Sequence, residues 1–259
     1  MASEQPVLRI EGLTHTFGGL KAVSDFSTEL HRNEIVGLIG PNGAGKTTVF
    51  NLLCGLYRPK EGDLLFEGTQ LRGRRPHEIT SLGIGRTFQN IRLWNELSVL
   101  DNLRIGHSSR LGYGIVDAFF HTRRMRATEA EVTEQAMELL RSFGLERHAE
   151  VRPRNLPYGL QRRVEICRAL VMRPRLLLLD EPAAGMNPGE INELMELISW
   201  VRDTYGVTVW IIEHQMRIIM GICERLQVLN FGETIAEGTP EQIQGDPVVI
   251  KAYLGEPVA

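Results

Sequence analysis

Only three of the 259 residues are cysteine. Cys54, Cys167 and Cys223 lie far apart inside apolar stretches. They spell out neither a disulfide framework nor a cysteine metal site, and they read as buried thiols of a reducing compartment. No apolar run approaches the ~20 residues that a membrane-spanning helix requires. The segment 1–6 lacks the basic and apolar regions of a secretory signal. Positive charge is not in excess, with 29 Lys and Arg against 32 Asp and Glu for a net charge of −3. The chain therefore has no broad basic surface, and nucleic acid is not an expected partner. Internal repeats and low-complexity linkers are missing as well. What remains is an ordinary globular composition, long enough for one large domain or two small ones. A soluble, cytoplasmic protein is expected.

One stretch stands out. Gly40-Pro41-Asn42-Gly43-Ala44-Gly45-Lys46-Thr47-Thr48 fits the phosphate-loop pattern G-x-x-x-x-G-K-[ST]. It follows the apolar run Glu34–Ile39, which reads as a buried strand, and leads into Val49–Cys54, which continues as a helix. That strand–loop–helix context is what the pattern requires. Glycines let successive N–H groups turn inward around phosphate oxygens, and a helix N-terminus adds a field favourable to anions. Lys46 reaches the β- and γ-phosphates as a point charge, and the Thr47 hydroxyl is a ligand for Mg²⁺. Binding of a nucleoside triphosphate is expected.

Around this loop the chain alternates in texture. Val7–Ile10 and Ala22–Ser27 suggest strands broken by a turn at Gly18-Gly19, and Gly62–Gly68 suggests a further short strand. From about Ser98 to Asn155 the sequence turns helical. Thr128-Glu129-Ala130-Glu131 is a capping-box pattern expected to open a helix, with Val132, Ala136, Leu139, Leu140 and Phe143 on one face and Gly144 at its end. Leu176–Leu179 is too short for a helix and reads as a buried parallel strand ending at Asp180. Pro188 precedes a helix with Ile191, Leu194, Met195, Ile198 and Val201 facing inward, and Val207–Ile212 forms the next strand. Strand–helix–strand alternation predicts an α/β protein with a mostly parallel sheet.

The strand ending in Asp180-Glu181-Pro182 places two carboxylates where α/β sheets bind ligands. Asp180 is suited to hold Mg²⁺ through water, and Glu181 to take a proton from water attacking the γ-phosphate. Alone, an apolar run ending in Asp-Glu is weak evidence. Downstream of a phosphate loop it is strong.

With both motifs in place, nearly the whole chain resembles the ATP-binding-cassette family. The resemblance implies a P-loop NTPase core with a mostly parallel sheet, an antiparallel β subdomain and an inserted helical subdomain. Their approximate spans are 1–95 with 156–259 for the core and β subdomain, and 96–155 for the helical one. It implies that Phe17 stacks on adenine, that Gln89 is the lid-region glutamine acting in hydrolysis and at the metal, and that His214 is the switch histidine. The family signature, usually Leu-Ser-Gly-Gly-Gln, matches Leu156-Pro157-Tyr158-Gly159-Leu160, so Gly159 would contact nucleotide held by a second subunit. Three departures stand out. Pro157 offers neither hydroxyl nor N–H, Leu160 replaces the glutamine, and Met186-Asn187 occupies the contact loop where Leu-Asp is common.

Several stretches narrow the match: Phe17–Val23, Arg86–Gln89, Ala183–Pro188, Gly238–Glu241 and Ala252–Glu256. Together they look like the longer ATPase of branched-chain amino acid importers. The implied activity is ATP hydrolysis powering import, with ATP and Mg²⁺ bound. The implied partners are a second, similar or identical ATPase subunit, transmembrane permease subunits and, indirectly, a substrate-binding protein, at the cytoplasmic face of the membrane. ATPases of urea or amide importers and of lipopolysaccharide export share several of these features, and a soluble iron–sulfur assembly ATPase shares the architecture. A degenerate nucleotide-binding scaffold is disfavoured because Lys46, Asp180, Glu181, Gln89 and His214 are all retained. The apolar stretch Leu111–His121 followed by Arg123–Arg126 reads either as a helix packing on its own domain or as a docking surface for the membrane subunit.

Overall fold

Alternating apolar and polar residues at the start of the chain fold into an antiparallel pair, β1 (Leu8–Phe17) and β2 (Leu20–Leu30), joined at Gly18-Gly19. Both strands are longer than the sequence segments that announced them. The computed structural model describes residues 5–107, 117 and 122–254. Among these, the helices in chain order are α1 (Lys46–Leu53), α2 (Pro76–Leu82), α3 (Val99–Gly106), α4 (Arg123–Ser142), α5 (Tyr158–Leu170), α6 (Pro188–Tyr205), α7 (Met216–Ile222), α8 (Pro240–Gln244) and α9 (Pro247–Leu254). The chain forms two compact units, residues 1–86 with 175–259 and residues 87–174. Gln89 and the signature stretch Leu156–Leu160, grouped with the core on sequence, thus belong to the second unit.

The first unit contains two sheets. One is antiparallel, in the order β2-β1-β4-β5, with β4 at Glu61–Phe66 and β5 at Thr69–Gln70. The other runs β10-β9-β3-β8-β7-β6. Its strands β3 (Ile35–Ile39), β6 (Ile84–Arg86), β7 (Leu176–Asp180), β8 (Thr208–Ile212) and β9 (Arg225–Asn230) are parallel, and β10 (Glu233–Gly238) closes the edge antiparallel to β9. Every residue of β3, β7 and β8 is buried. That is why they read as unbroken apolar runs, as strands covered on both faces do. Trp210 of β8, fully buried, lies between Phe26 and Phe50 with ring centroids at 6.3 and 5.1 Å. It joins the antiparallel sheet, the parallel sheet and α1 in one core. Truncating an aromatic so placed costs about 3–5 kcal/mol.

In the second unit, α4 buries Val132, Ala136, Leu139 and Leu140 as the sequence periodicity requires, and Gly144 ends it in the left-handed region at φ 67°. Its start differs from expectation. The helix begins at Arg123, where the Thr122 hydroxyl accepts the Met125 N–H at 3.3 Å, so the Thr128–Glu131 pattern lies inside the helix and does not open it. The physical reason is that 123–127 consists of good helix formers, and an earlier threonine supplies the cap. The stretch 111–121, Asp117 excepted, lies outside the described residues. Back in the first unit, Ile191, Leu194, Ile198 and Val201 of α6 are buried, whereas Met195 is half-buried.

Candidate nucleotide-binding and hydrolysis site

Strand β3 feeds directly into the glycine loop, and α1 begins at Lys46. Gly40 (φ 147°) and Gly45 (φ 106°) occupy backbone conformations that side chains rarely adopt. A Cβ at Gly40 would lie 2.0 Å from the Leu229 carbonyl oxygen, and one at Gly45 2.3 Å from that of Ala22. The loop is therefore wedged against the main chains of β9 and β2, and only glycine fits at these two points. Ala44 is buried, while Pro41, Gly45 and Thr48 are half-buried and Asn42, Gly43 and Thr47 are open to solvent. The first N–H groups of α1 have no acceptor within the helix, so the loop and helix start present donors to an incoming anion.

Lys46 is 8% exposed. Its Nζ donates to the carbonyl oxygens of Gly40 at 2.7 Å and Pro41 at 3.0 Å. Burial is the strongest influence on the ammonium and lowers its pKa below that of a free lysine, while the charges of Glu181 and Asp180 oppose that shift. Lys46 and both carboxylates thus share one electrostatic environment.

Asp180 ends β7 with 3% exposure. Its Oδ2 accepts a hydrogen bond from Arg86 Nη2 at 2.9 Å, and Arg86 Nη1 donates to Asn51 Oδ1 of α1 at 2.8 Å. Sequence reasoning gave Arg86 no role of its own, since the stretch Arg86–Gln89 counted only as part of the family likeness and as the setting of Gln89. The ion pair spans 94 residues and exists because β6 lies parallel to β7. Both side chains are nearly buried, at 7% and 5% exposure. Removing one partner of such a pair leaves an uncompensated charge. Arg86→Ala is accordingly expected to lower folding stability by about 3–5 kcal/mol in urea unfolding. A loss under about 1 kcal/mol, the level of an exposed pair, would show that Asp180 does not depend on it.

Glu181 takes a left-handed backbone conformation at φ 46°. Its N–H donates to the Ile212 carbonyl at 2.9 Å, which holds it beside the end of β8. There its Oε2 lies 3.9 Å from Nδ1 of His214. A non-glycine residue at positive φ stores backbone strain, and such residues gather at functional sites. Behind this pair sits Glu213, also missed on sequence. Its Oε1 accepts the Ala183 N–H at 3.0 Å, and its Oε2 accepts the N–H groups of His214 at 3.0 Å and Gln215 at 3.3 Å. One buried carboxylate thereby fixes the main chain on both sides of the Glu181–His214 pair. In sequence it is merely an acid next to a histidine.

Phe17 ends β1 with 44% exposure. It meets His15 and Tyr57 edge-on at 4.7 and 5.1 Å, and His15 and Tyr57 stack at 5.7 Å. It is a surface ring in an aromatic cluster. Asn187 caps α6, its Oδ1 accepting the N–H groups of Gly189 and Glu190 at 2.9 and 3.0 Å. The amide that departs from the usual aspartate is thus engaged with its own helix.

In the second unit, Pro157 is the residue before α5 and supplies no side-chain cap, so the first turn containing Gly159 keeps its donors. Gln89 lies in the irregular segment that follows Thr87. The first unit brings together Lys46, Asp180, Glu181 and His214, while Gln89 and Gly159 belong to the second unit.

No cluster of three or more His, Cys, Asp or Glu side chains forms a ready-made metal cage among the described residues. Mg²⁺ bound through a hydroxyl, one carboxylate and substrate phosphates needs none, and the hard oxygen donors of Thr47 and Asp180 fit that mode.

A glycine loop wedged between a parallel strand and a helix, with a buried lysine sharing the field of two strand-end acids, defines a P-loop nucleoside triphosphatase. The family profile described as ABC transporter matches residues 23–184, and one described as branched-chain amino acid ATP-binding cassette transporter matches residues 233–259. The chain belongs to the ABC transporter ATPase family. It is 46% identical over 252 residues to the high-affinity branched-chain amino acid transport ATP-binding protein LivG of Escherichia coli K12, covering 97% of this chain and 99% of the relative. It is 44% identical over the same length to BraF of Pseudomonas aeruginosa, a protein of the same description, with the same coverage. The crystal structure of MJ1267, an ATP-binding cassette of an ABC transporter in its ADP conformation, superposes with a TM-score of 0.85 at 32% identity, covering 98% of this chain and all of that one.

Proposed function

We propose that this ATPase powers an importer of branched-chain amino acids. The observation that carries the reading is the likeness to LivG over 97% of the chain, together with the branched-chain-specific profile at residues 233–259. In this reading the loop Gly40–Thr48, through the N–H groups it leaves open, and the Lys46 ammonium bind the triphosphate, and Phe17 stacks on adenine. Mg²⁺, when bound, neutralises charge on the β- and γ-oxygens, and Thr47, Asp180 through water and Gln89 are the residues that would hold it. Glu181 takes the proton of the attacking water, and His214 and Gln89 orient the reacting groups around the γ-phosphate. The separation of roles follows from position: Lys46 is tied into the loop, whereas Glu181 lies at a strand end.

Partner subunits follow from the signature. In a sandwich of two cassettes, Gly159 serves the nucleotide held by the opposite subunit. Pro157 and Leu160 weaken that donor set, so two identical copies would weaken both sites. A distinct second ATPase with an intact signature would complete the site built on Lys46, Asp180 and Glu181. With permease subunits, and a substrate-binding protein acting through them, the chain would work at the cytoplasmic face of the membrane.

Weak ATP hydrolysis is therefore expected from the purified chain. Turnover should rise when the second ATPase and permease subunits are added in proteoliposomes, and rise further with a binding protein loaded with leucine, isoleucine or valine. Full activity from the isolated chain would refute the asymmetric sites. A response to urea and none to leucine would refute the cargo.

A further inference from the structure

The segment that carries Gln89 has no strand or helix to satisfy its backbone, so its polar groups must find partners elsewhere. They find them on one face of α5. Arg162 Nη1 donates to the Phe88 carbonyl at 2.8 Å, and Nη2 donates to the Gln89 carbonyl at 2.9 Å. Glu165 Oε1 accepts the N–H groups of Phe88 at 3.5 Å and Arg92 at 3.2 Å. The two side chains are joined by a 2.5 Å bond from Arg162 Nη1 to Glu165 Oε2, and neither is exposed at all. Arg162 Nη2 also donates to the Tyr158 hydroxyl at 3.2 Å. Tyr158 stands where the family signature has glycine, so this tyrosine adds a bond that the usual residue lacks.

We infer that Arg162 and Glu165 are positioning residues for Gln89, coupling its main chain to the signature turn of α5. The inference rests on the proposed role of Gln89 in hydrolysis. A buried ion pair that served packing alone would need only each other. This pair holds four main-chain groups of one irregular segment, two as donor and two as acceptor. The guanidinium fork reaches four acceptors at once, which the three donors of a lysine on a single point do not reproduce. A displacement of the first turn of α5 therefore carries Gln89 with it.

The test is a double-mutant cycle in the full chain, crossing Arg162→Lys with Gln89→Ala. The readouts are steady-state ATP hydrolysis, equilibrium affinity for a fluorescent ATP analogue, and thermal midpoint. Arg162→Lys is expected to lower kcat roughly 10–100-fold, the scale set by an ångström of misplacement. Analogue affinity should change less than about 2-fold, because Lys46 and the loop donors lie in the other unit. In the Gln89→Ala background the same substitution should cost no more than about 2-fold, since residues acting as one device do not multiply. Equal factors in both backgrounds would overturn the inference while leaving the role of Gln89 intact. If Gln89→Ala alone leaves kcat unchanged, that role fails and the inference falls with it. Should Arg162→Lys not fold, Glu165→Gln, which keeps the shape and breaks the charge pairing, enters the same cycle with the same expected pattern.

Discussion

Substituting Glu181 by glutamine is expected to cut ATP turnover by about 10²–10⁴-fold, the usual contribution of a general base. ATP affinity should stay within about 2-fold of the parent, because the substitution leaves the loop donors and Lys46 in place. The backbone gives the reason for that separation. Glu181 is held by its own N–H on the Ile212 carbonyl and by its carbonyl accepting the Ala184 N–H, neither of which involves the side chain. Glutamine keeps the volume and the hydrogen-bond reach, so the left-handed turn and the approach to His214 persist while the proton acceptor is lost. With hydrolysis stopped and binding intact, an ATP-bound dimer should accumulate on size-exclusion chromatography. Parental turnover by the variant would remove Glu181 from the mechanism.

Lys46→Ala should act one step earlier. The ammonium is the one cation of the loop, and it balances Asp180 and Glu181. Its removal takes away charge-assisted hydrogen bonds to phosphate, worth about 1.5–3 kcal/mol each, and with them the cation that offsets the charge of Glu181. Affinity for the fluorescent analogue should fall at least roughly 100-fold, with turnover lost in parallel. The Gly40 and Pro41 carbonyls also lose their donor, so a modest drop in thermal midpoint should accompany the loss. Because burial lowers the pKa of Lys46, parental binding should weaken on the alkaline side sooner than for an ordinary lysine: as pH rises, the ammonium deprotonates and its attraction for phosphate ends. Unchanged affinity of Lys46→Ala would remove the assignment of the phosphate loop.

The two largest effects concern residues that the sequence already singled out, and the reason is locality. The phosphate loop is nine consecutive residues that can be recognised as one contiguous pattern, the apolar run Ile35–Ile39 before it and Lys46-Thr47 opening the helix at its end. The acid pair is likewise readable, because four leucines and two acids describe a strand and its end within six residues. The start of α4 shows where locality misleads. A valid capping box at Thr128 competes with an equally valid cap at Thr122, and only the formed helix selects between them.

By itself, then, the amino-acid order determined the nucleotide loop, the carboxylates, the buried parallel strands and the likeness to a transport ATPase. Each of these is read from residues close together along the chain. Tertiary structure alone decided that Arg86 pairs with Asp180 across 94 residues, that Glu213 braces Ala183 across 30, and that Arg162 and Glu165 hold the backbone around Gln89 from more than 70 residues away. Those pairings depend on strand register and helix placement. Both are set by burying apolar faces over the whole chain, and no short pattern encodes which distant polar group will be left at the right spot to answer a buried charge.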